Sequence, residues 1–146
     1  MSDLDTILLV EDNLDDLELI KYAFAKAGIA NTLVSVTDGD LAVSFLSGKG
    51  AYTDRAQHPL PSLVLLDLKL PKRSGFEVLR FLRGQGSTRH TPVVVLTSSN
   101  QREDVERAYE LGANSYVVKP VRRDGLLEVA KALDAFWIKL NQAHGG

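Results

Sequence analysis

Leu63-Val64-Leu65-Leu66-Asp67 is an unbroken aliphatic run that stops on an acid. Such a run fits a parallel strand covered on both faces, because a strand with one wet face would alternate apolar and polar residues. Ile7 to Val10 repeats the pattern and ends in Glu11-Asp12. If the two runs are parallel neighbours, their carboxyl ends lie together and the three acids share one crevice. Carboxylates that close repel one another unless a cation neutralises them, and an all-oxygen donor set suits a hard ion such as Mg2+.

Outward from these two runs the chain alternates strand and helix. Ile7 to Glu11 reads as the first strand. Asn13 is placed to cap a helix through Leu17, Ile20, Tyr22 and Phe24 to Ala27, with Gly28 in the terminating position. Thr32 to Val36 is a second strand and Asp40 to Leu46 a second helix. Leu63 to Leu66 is followed by a Pro71 to Gly75 turn and a helix carrying Phe76, Val78, Leu79 and Leu82. Val93 to Leu96, the charged helix Asn100 to Leu111, Ser115 to Val118, and a long helix from Asp124 to Gln142 complete the order. Five strand-helix units predict an α/β fold, a doubly wound five-stranded parallel sheet. The order 2-1-3-4-5, flavodoxin-like, sets the first and third strands at the switch point where such sheets bind ligands.

Length and composition narrow the function. The 146 residues suit a single domain, expected to span 1–146 without a separate output domain. Lys and Arg number 17 against 19 Asp and Glu, a net charge of -2, so the basic excess of a nucleic-acid footprint is missing and direct nucleic-acid binding is not expected. With no cysteine there is no disulfide framework, thiolate metal site or cysteine nucleophile. The acidic start Met1-Ser2-Asp3-Leu4-Asp5 does not read as a signal peptide, and no apolar stretch is long enough for a bilayer, so a cytoplasmic protein without membrane association is expected. His58, His90 and His144 lie in separate connections and the tail, where solvated surface is the expectation. Gly48 to Pro61 is longer than an ordinary helix-to-strand link. It should lie at the strands' amino ends, either as a surface insertion or as a partner-docking loop.

Glu11, Asp12, Asp67, Thr97 and Lys119 are expected at the carboxyl ends. Each alone is ordinary: an acidic pair before a helix serves as cap and dipole partner, and an Asp before a Pro-Gly turn serves the turn. Together they match the demands of phosphoryl transfer to a carboxylate. That reaction needs a positioned acceptor and neutralisation of the charge on the phosphoryl oxygens. Asp12 and Asp67 would hold Mg2+, Thr97 would donate a hydrogen bond to one phosphoryl oxygen, and Lys119 would pair with another. On this reading Lys119 has no role until those oxygens arrive.

Val-Glu-Asp-Asn at 10 to 13, Leu-Leu-Asp-Leu-Lys-Leu-Pro-Lys-Arg-Ser-Gly-Phe-Glu-Val-Leu at 65 to 79, Val-Val-Val-Leu-Thr-Ser-Ser at 93 to 99 and Gly-Ala-Asn-Ser-Tyr-Val-Val-Lys-Pro at 112 to 120 resemble the receiver domain of two-component response regulators. The resemblance covers nearly the whole chain in order. It implies phosphorylation of Asp67 by a separate sensor histidine kinase, with slow autodephosphorylation and no further enzyme activity. Mg2+ is implied at Asp12, Asp67 and the Lys69 backbone carbonyl, with Glu11 acting through water. Thr97 and Tyr116 are implied as the switch pair, and Lys119 as the phosphate partner followed by a cis peptide to Pro120. The 48–61 loop and Phe136-Trp137 are similar to those of small regulators that partner bacterial phytochrome kinases. Arg73-Ser74 stands where many receivers carry Met-Asp.

Two enzyme readings compete less well. A haloacid dehalogenase-type phosphatase normally needs a second Asp two residues after the first, and position 69 is Lys69. A dinucleotide-binding protein needs a glycine-rich turn after the first strand, where Glu11-Asp12-Asn13 would repel pyrophosphate. A purely structural interaction module is the non-enzyme alternative. The apolar face of the last helix, Leu126, Val129, Ala130, Leu133, Phe136, Trp137 and Leu140, outruns the expected sheet, so that Phe136, Trp137 and Leu140 either cap the core of their own chain or stay partly exposed and join two copies in a homodimer.

Overall fold

The computed structural model describes residues 5–140. Strands β1 (Thr6–Val10), β2 (Thr32–Val36), β3 (Leu63–Leu66), β4 (Val93–Thr97) and β5 (Ser115–Val118) alternate with helices α1 (Leu14–Lys26), α2 (Gly39–Ser47), α3 (Gly75–Gly84), α4 (Arg102–Glu110) and α5 (Arg123–Leu133). The strands form one parallel sheet in the order β2-β1-β3-β4-β5, as the alternation predicts. Val10 lies beside Leu66, so Glu11 and Asp67 leave the sheet at the same level.

Alternate residues of each central strand feed opposite layers, the consequence of a two-residue side-chain period. Leu8, Val10, Val64, Leu66, Val93 and Val95 pack with Phe45 of α2, Val78 and Leu82 of α3 and Ala108 of α4. Ile7, Leu9, Leu63, Leu65, Val94 and Leu96 pack with Leu17, Ile20 and Phe24 of α1 and Leu126, Ala130 and Leu133 of α5. Burial on both faces explains the unbroken aliphatic runs. It also fixes the sheet rigidly beneath the connections at its carboxyl edge. Among the described residues no helix is long and apolar enough to cross a membrane.

The last helix departs from expectation. It is α-helical only to Leu133 and continues as a π-helix over Asp134–Leu140. A π-turn advances the contact spacing to five residues, and the next buried apolar residue after Leu133 is Ile138, five positions on. Phe136, beyond the reach of the sheet, is 52% exposed, and its ring stands edge-on to half-buried Trp137 at 5.1 Å. The side chain of Leu140 and residues Gln142 and His144 lie outside what the structure describes.

The 48–61 connection is packed rather than free. Arg55 donates to the α2 carbonyls of Phe45 at 2.6 Å and Leu46 at 2.8 Å, and to His58 O at 3.0 Å. A guanidinium fork thereby satisfies carbonyls that a helix end leaves open. His58 is half-buried, not a solvated surface residue, and stacks edge-on with Tyr52 and Phe45 at 5.3 and 6.3 Å. The loop rejoins the sheet where the Ser62 N–H donates to Thr6 O, at the amino end of β1. It therefore lies at the end of the sheet away from Glu11 and Asp67.

Candidate functional site

Four strand ends and the start of one helix build the site. Glu11 follows β1, its N–H held by Val36 O at 3.0 Å, and Asp67 follows β3, its N–H held by Val10 O at 3.1 Å. Thr97 closes β4, and the Lys119 N–H donates to Thr97 O at 2.7 Å. Four residues distant in sequence are thus set side by side through sheet hydrogen bonds. Gly75 lets the next helix begin close by, because a Cβ there would lie 2.2 Å from the Asp67 carbonyl oxygen. The intervening loop carries Lys72 in the left-handed region at φ 71°.

Both Asp67 oxygens are engaged. Oδ1 accepts from Thr97 Oγ1 at 2.7 Å and from the Lys69 N–H at 3.3 Å. Oδ2 accepts from Lys119 Nζ at 3.0 Å. The same ammonium contacts Glu11 Oε1 at 2.6 Å and Asp16 Oδ2 at 3.0 Å. Lys119 therefore already pairs with three acids of the site, which corrects the expectation that it waits for phosphoryl oxygens. Three donors on one ammonium match three carboxylates, an arrangement that short charge-assisted hydrogen bonds favour.

Burial sets the electrostatics. The Glu11 side chain is 1% exposed. Loss of hydration, aided by the charge of Asp67, pushes its carboxyl up to about 7, against the opposing hydrogen bonds from Lys119 and the Asn13 N–H. Burial pulls the Lys119 ammonium down, but its hydrogen bonds to Glu11, Asp16 and Asp67 outweigh that and hold it above the ordinary lysine range. Tyr116, on β5, is half-buried with its hydroxyl donating to Ser99 O at 2.8 Å. Its phenol is raised chiefly by burial, with the charges of Asp104 and Asp67 adding.

Glu11, Asp12 and Asp67 each offer a carboxylate oxygen within 4.8 Å of the others, and Asp12 is exposed. Such a set could hold a metal ion: hard oxygen donors, two of them buried and one facing water, answer a cation that keeps part of its hydration. Burial, with a smaller part from the charge of Asp67, disfavours the ionised Glu11 carboxyl, and a divalent charge beside it would favour that form.

The Lys119-Pro120 peptide is trans, as no cis bond occurs among the described residues, and this corrects the expected cis peptide at Pro120. Trans is the isomer that an X-Pro bond favours intrinsically, by about 0.5–1 kcal/mol. The proline ring instead fits against α5, where a Cβ on Gly125 would fall 2.4 Å from Pro120 Cβ.

Asp16 is the site residue that sequence reasoning missed. It lies in the first turn of α1, its N–H donating to the capping Asn13 Oδ1 at 3.0 Å. Read alone, an acid in a first turn is a dipole partner. The available signal was that helical side chains lean toward the N-terminus, here toward the strand ends.

A parallel 2-1-3-4-5 sheet with an acid cluster, a hydroxyl and a lysine at its carboxyl edge defines a phosphorylation-switch architecture, and the comparisons agree with it. Residues 7–131 match the response regulator receiver domain, and the chain belongs to that family. It is 37% identical to response regulator Rcp1 of Synechocystis sp. over 91% of this chain and 88% of that protein. The Mn(2+)-bound form of Rcp1 superposes with a TM-score of 0.85 at 35% identity, covering 95% of this chain and 98% of that one. The phosphorylated cyanobacterial phytochrome response regulator RcpA gives a TM-score of 0.90 at 34% identity over 97% and 99%. The bacteriophytochrome response regulator AtBRR is 47% identical with a TM-score of 0.76 over 95% and 99%.

Proposed function

We propose that this receiver takes a phosphoryl group on Asp67 from the phosphohistidine of a sensor histidine kinase. A P–O bond forms to Asp67 as the P–N bond breaks, and the released imidazole nitrogen gains a proton from solvent. The observation that carries this reading is the position of Asp67, held between Thr97 Oγ1 and Lys119 Nζ with acids on its open side.

Mg2+ is the cation that this donor set suits, with Asp12, Asp67 and the Lys69 carbonyl as ligands and Glu11 acting through water. When bound it supplies neutralisation of the charge on the transferring oxygens. Thr97 and Lys119, already on the two Asp67 oxygens, are placed to follow the phosphoryl group. The loss of the Thr97 hydroxyl from its present contact shifts the population toward a state with Tyr116 turned, remodelling the surface of α4, β5 and α5. Beyond its own phosphorylation and slow autodephosphorylation the domain catalyses nothing. The likeness to the phytochrome response regulators RcpA and AtBRR supports a phytochrome kinase as the partner, and the proposed setting is the cytoplasm. The exposed Phe136 beside Trp137 supports a homodimer formed through the C-terminal segment. The unit is a single receiver domain extended by that segment.

Asp67→Asn tests the acceptor assignment. With acetyl phosphate or phosphoramidate and Mg2+, intact-mass spectrometry should find one added phosphoryl group on the wild type and none on the variant. Equal loading of both would overturn it.

A further inference from the structure

The geometry points to Asp16 as a positioning residue for Lys119: it is the carboxylate that receives the ammonium when a divalent cation claims Glu11 and Asp67. This deepens the proposed function and rests on the metal-binding part of it.

Lys119 is shared among Glu11, Asp16 and Asp67 at 2.6, 3.0 and 3.0 Å. Two of these acids, Glu11 and Asp67, belong to the trio whose oxygens converge within 4.8 Å, together with Asp12. Asp16 does not. A cation drawn to the trio must compete with Lys119 for Glu11 and Asp67, since one set of lone pairs cannot serve both and the two positive charges repel. Asp16 is then the acid left to the ammonium. Its side chain is 36% exposed, against 1% for Glu11 and 7% for Asp67, so it can pair with the ammonium while keeping contact with water, at little desolvation cost. It is also held in place, because its own N–H is tied to the Asn13 cap.

Without Asp16 the ammonium either remains in competition for the trio or goes unpaired while largely buried. Either outcome weakens cation binding. The effect runs through Lys119, which separates it from the simple loss of a nearby negative charge. A carboxylate acting only through space, in contact with water and salt, would change the affinity by less than about twofold.

Calorimetric titration with magnesium chloride tests this on wild type, Asp16→Asn, Asp16→Glu, Lys119→Met and the Asp16→Asn/Lys119→Met double variant. We expect Asp16→Asn to weaken Mg2+ binding about tenfold in the wild-type background and less than about twofold in the Lys119→Met background, a coupling within the range for one ion-pair network. Asp16→Glu, which keeps the charge and the reach, should recover most of the affinity. Unchanged affinity in Asp16→Asn, or an equal loss in both backgrounds, would overturn the role of Asp16 while leaving the proposed function standing. Should Lys119→Met not fold, a failure of Asp16→Glu to recover the affinity overturns it by itself. A wild type that binds no Mg2+ refutes the functional reading itself, a result distinct from all the others.

Discussion

Replacing Lys119 by Ala should destabilise the protein by an amount that depends on pH and on divalent metal. In the wild type the Lys119 side chain is 10% exposed and pairs with Glu11 and Asp67, 1% and 7% exposed. Removing one partner of a buried pair costs about 3–5 kcal/mol when the other remains charged. The contact with half-exposed Asp16 adds little. Glu11 controls the pH dependence. Its folded carboxyl lies at about 7 against 4.5 for the ordinary group, a raised value, so its favourable contribution is complete below about 4.5 and is lost as pH climbs through 7. That difference alone amounts to about 3 kcal/mol. Without the lysine hydrogen bond that lowers it, the Glu11 carboxyl rises further and the loss extends to higher pH. At pH 5.5 Glu11 is protonated in both folded proteins, so the gap between them should shrink to the part that the Lys119–Asp67 pair contributes. At pH 8 it should approach the full cost. Urea unfolding in EDTA at the two pH values measures this, and added Mg2+ at pH 8 should narrow the gap because the cation replaces the missing charge. With its competitor gone, the variant should also bind Mg2+ more tightly than the wild type. A destabilisation equal at pH 5.5 and pH 8 would refute the account of Lys119 as the counter-ion of a buried acid.

Asp12→Ala should cut Mg2+ affinity by about tenfold or more without loss of thermal stability, since Asp12 is exposed and forms part of the acid trio; calorimetry beside a thermal melt checks both halves. Arg55→Ala should lower stability by about 2 kcal/mol, because the α2 carbonyls of Phe45 and Leu46 lose a charged donor; urea unfolding measures the loss, while loading from acetyl phosphate, chemistry at the other end of the sheet, should be unchanged. Sedimentation of wild type and Trp137→Ala, with and without beryllofluoride, tests self-association: a wild-type dimer that the variant weakens supports the proposal, and a wild-type monomer at every concentration in both states rules it out.

The strands and their order were legible because the signal is local. Aliphatic runs such as Leu63 to Leu66 and Val93 to Leu96 announce burial on both faces wherever they occur, and the intervening helices leave parallel pairing as the topology. Helix starts were less sharp: α4 begins at Arg102 rather than at Asn100. Its N-cap, Gln101, makes no side-chain hydrogen bond to mark the boundary. The last helix was misread past Leu133 because periodicity assumes 3.6 residues per turn, and the π-helical segment re-phases the face onto Ile138. His58 was read as solvated because nothing near it in sequence shows that Phe45 and Tyr52 will flank its ring.

The amino-acid sequence by itself determined which residues end the strands, and so that Glu11, Asp12, Asp67, Thr97 and Lys119 stand at one edge of the sheet. That follows from hydrophobic pattern and the handedness of the crossovers, which are properties of short segments. Tertiary structure alone decided how those groups divide their charges. Lys119 reaches Asp16 across 103 positions of chain, and only the packing of α1 against α5 and the sheet brings that helix start within 3.0 Å of the ammonium. Hydrogen bonds and ion pairs act over a few ångströms, so their partners depend on the assembled layers rather than on any local run of residues.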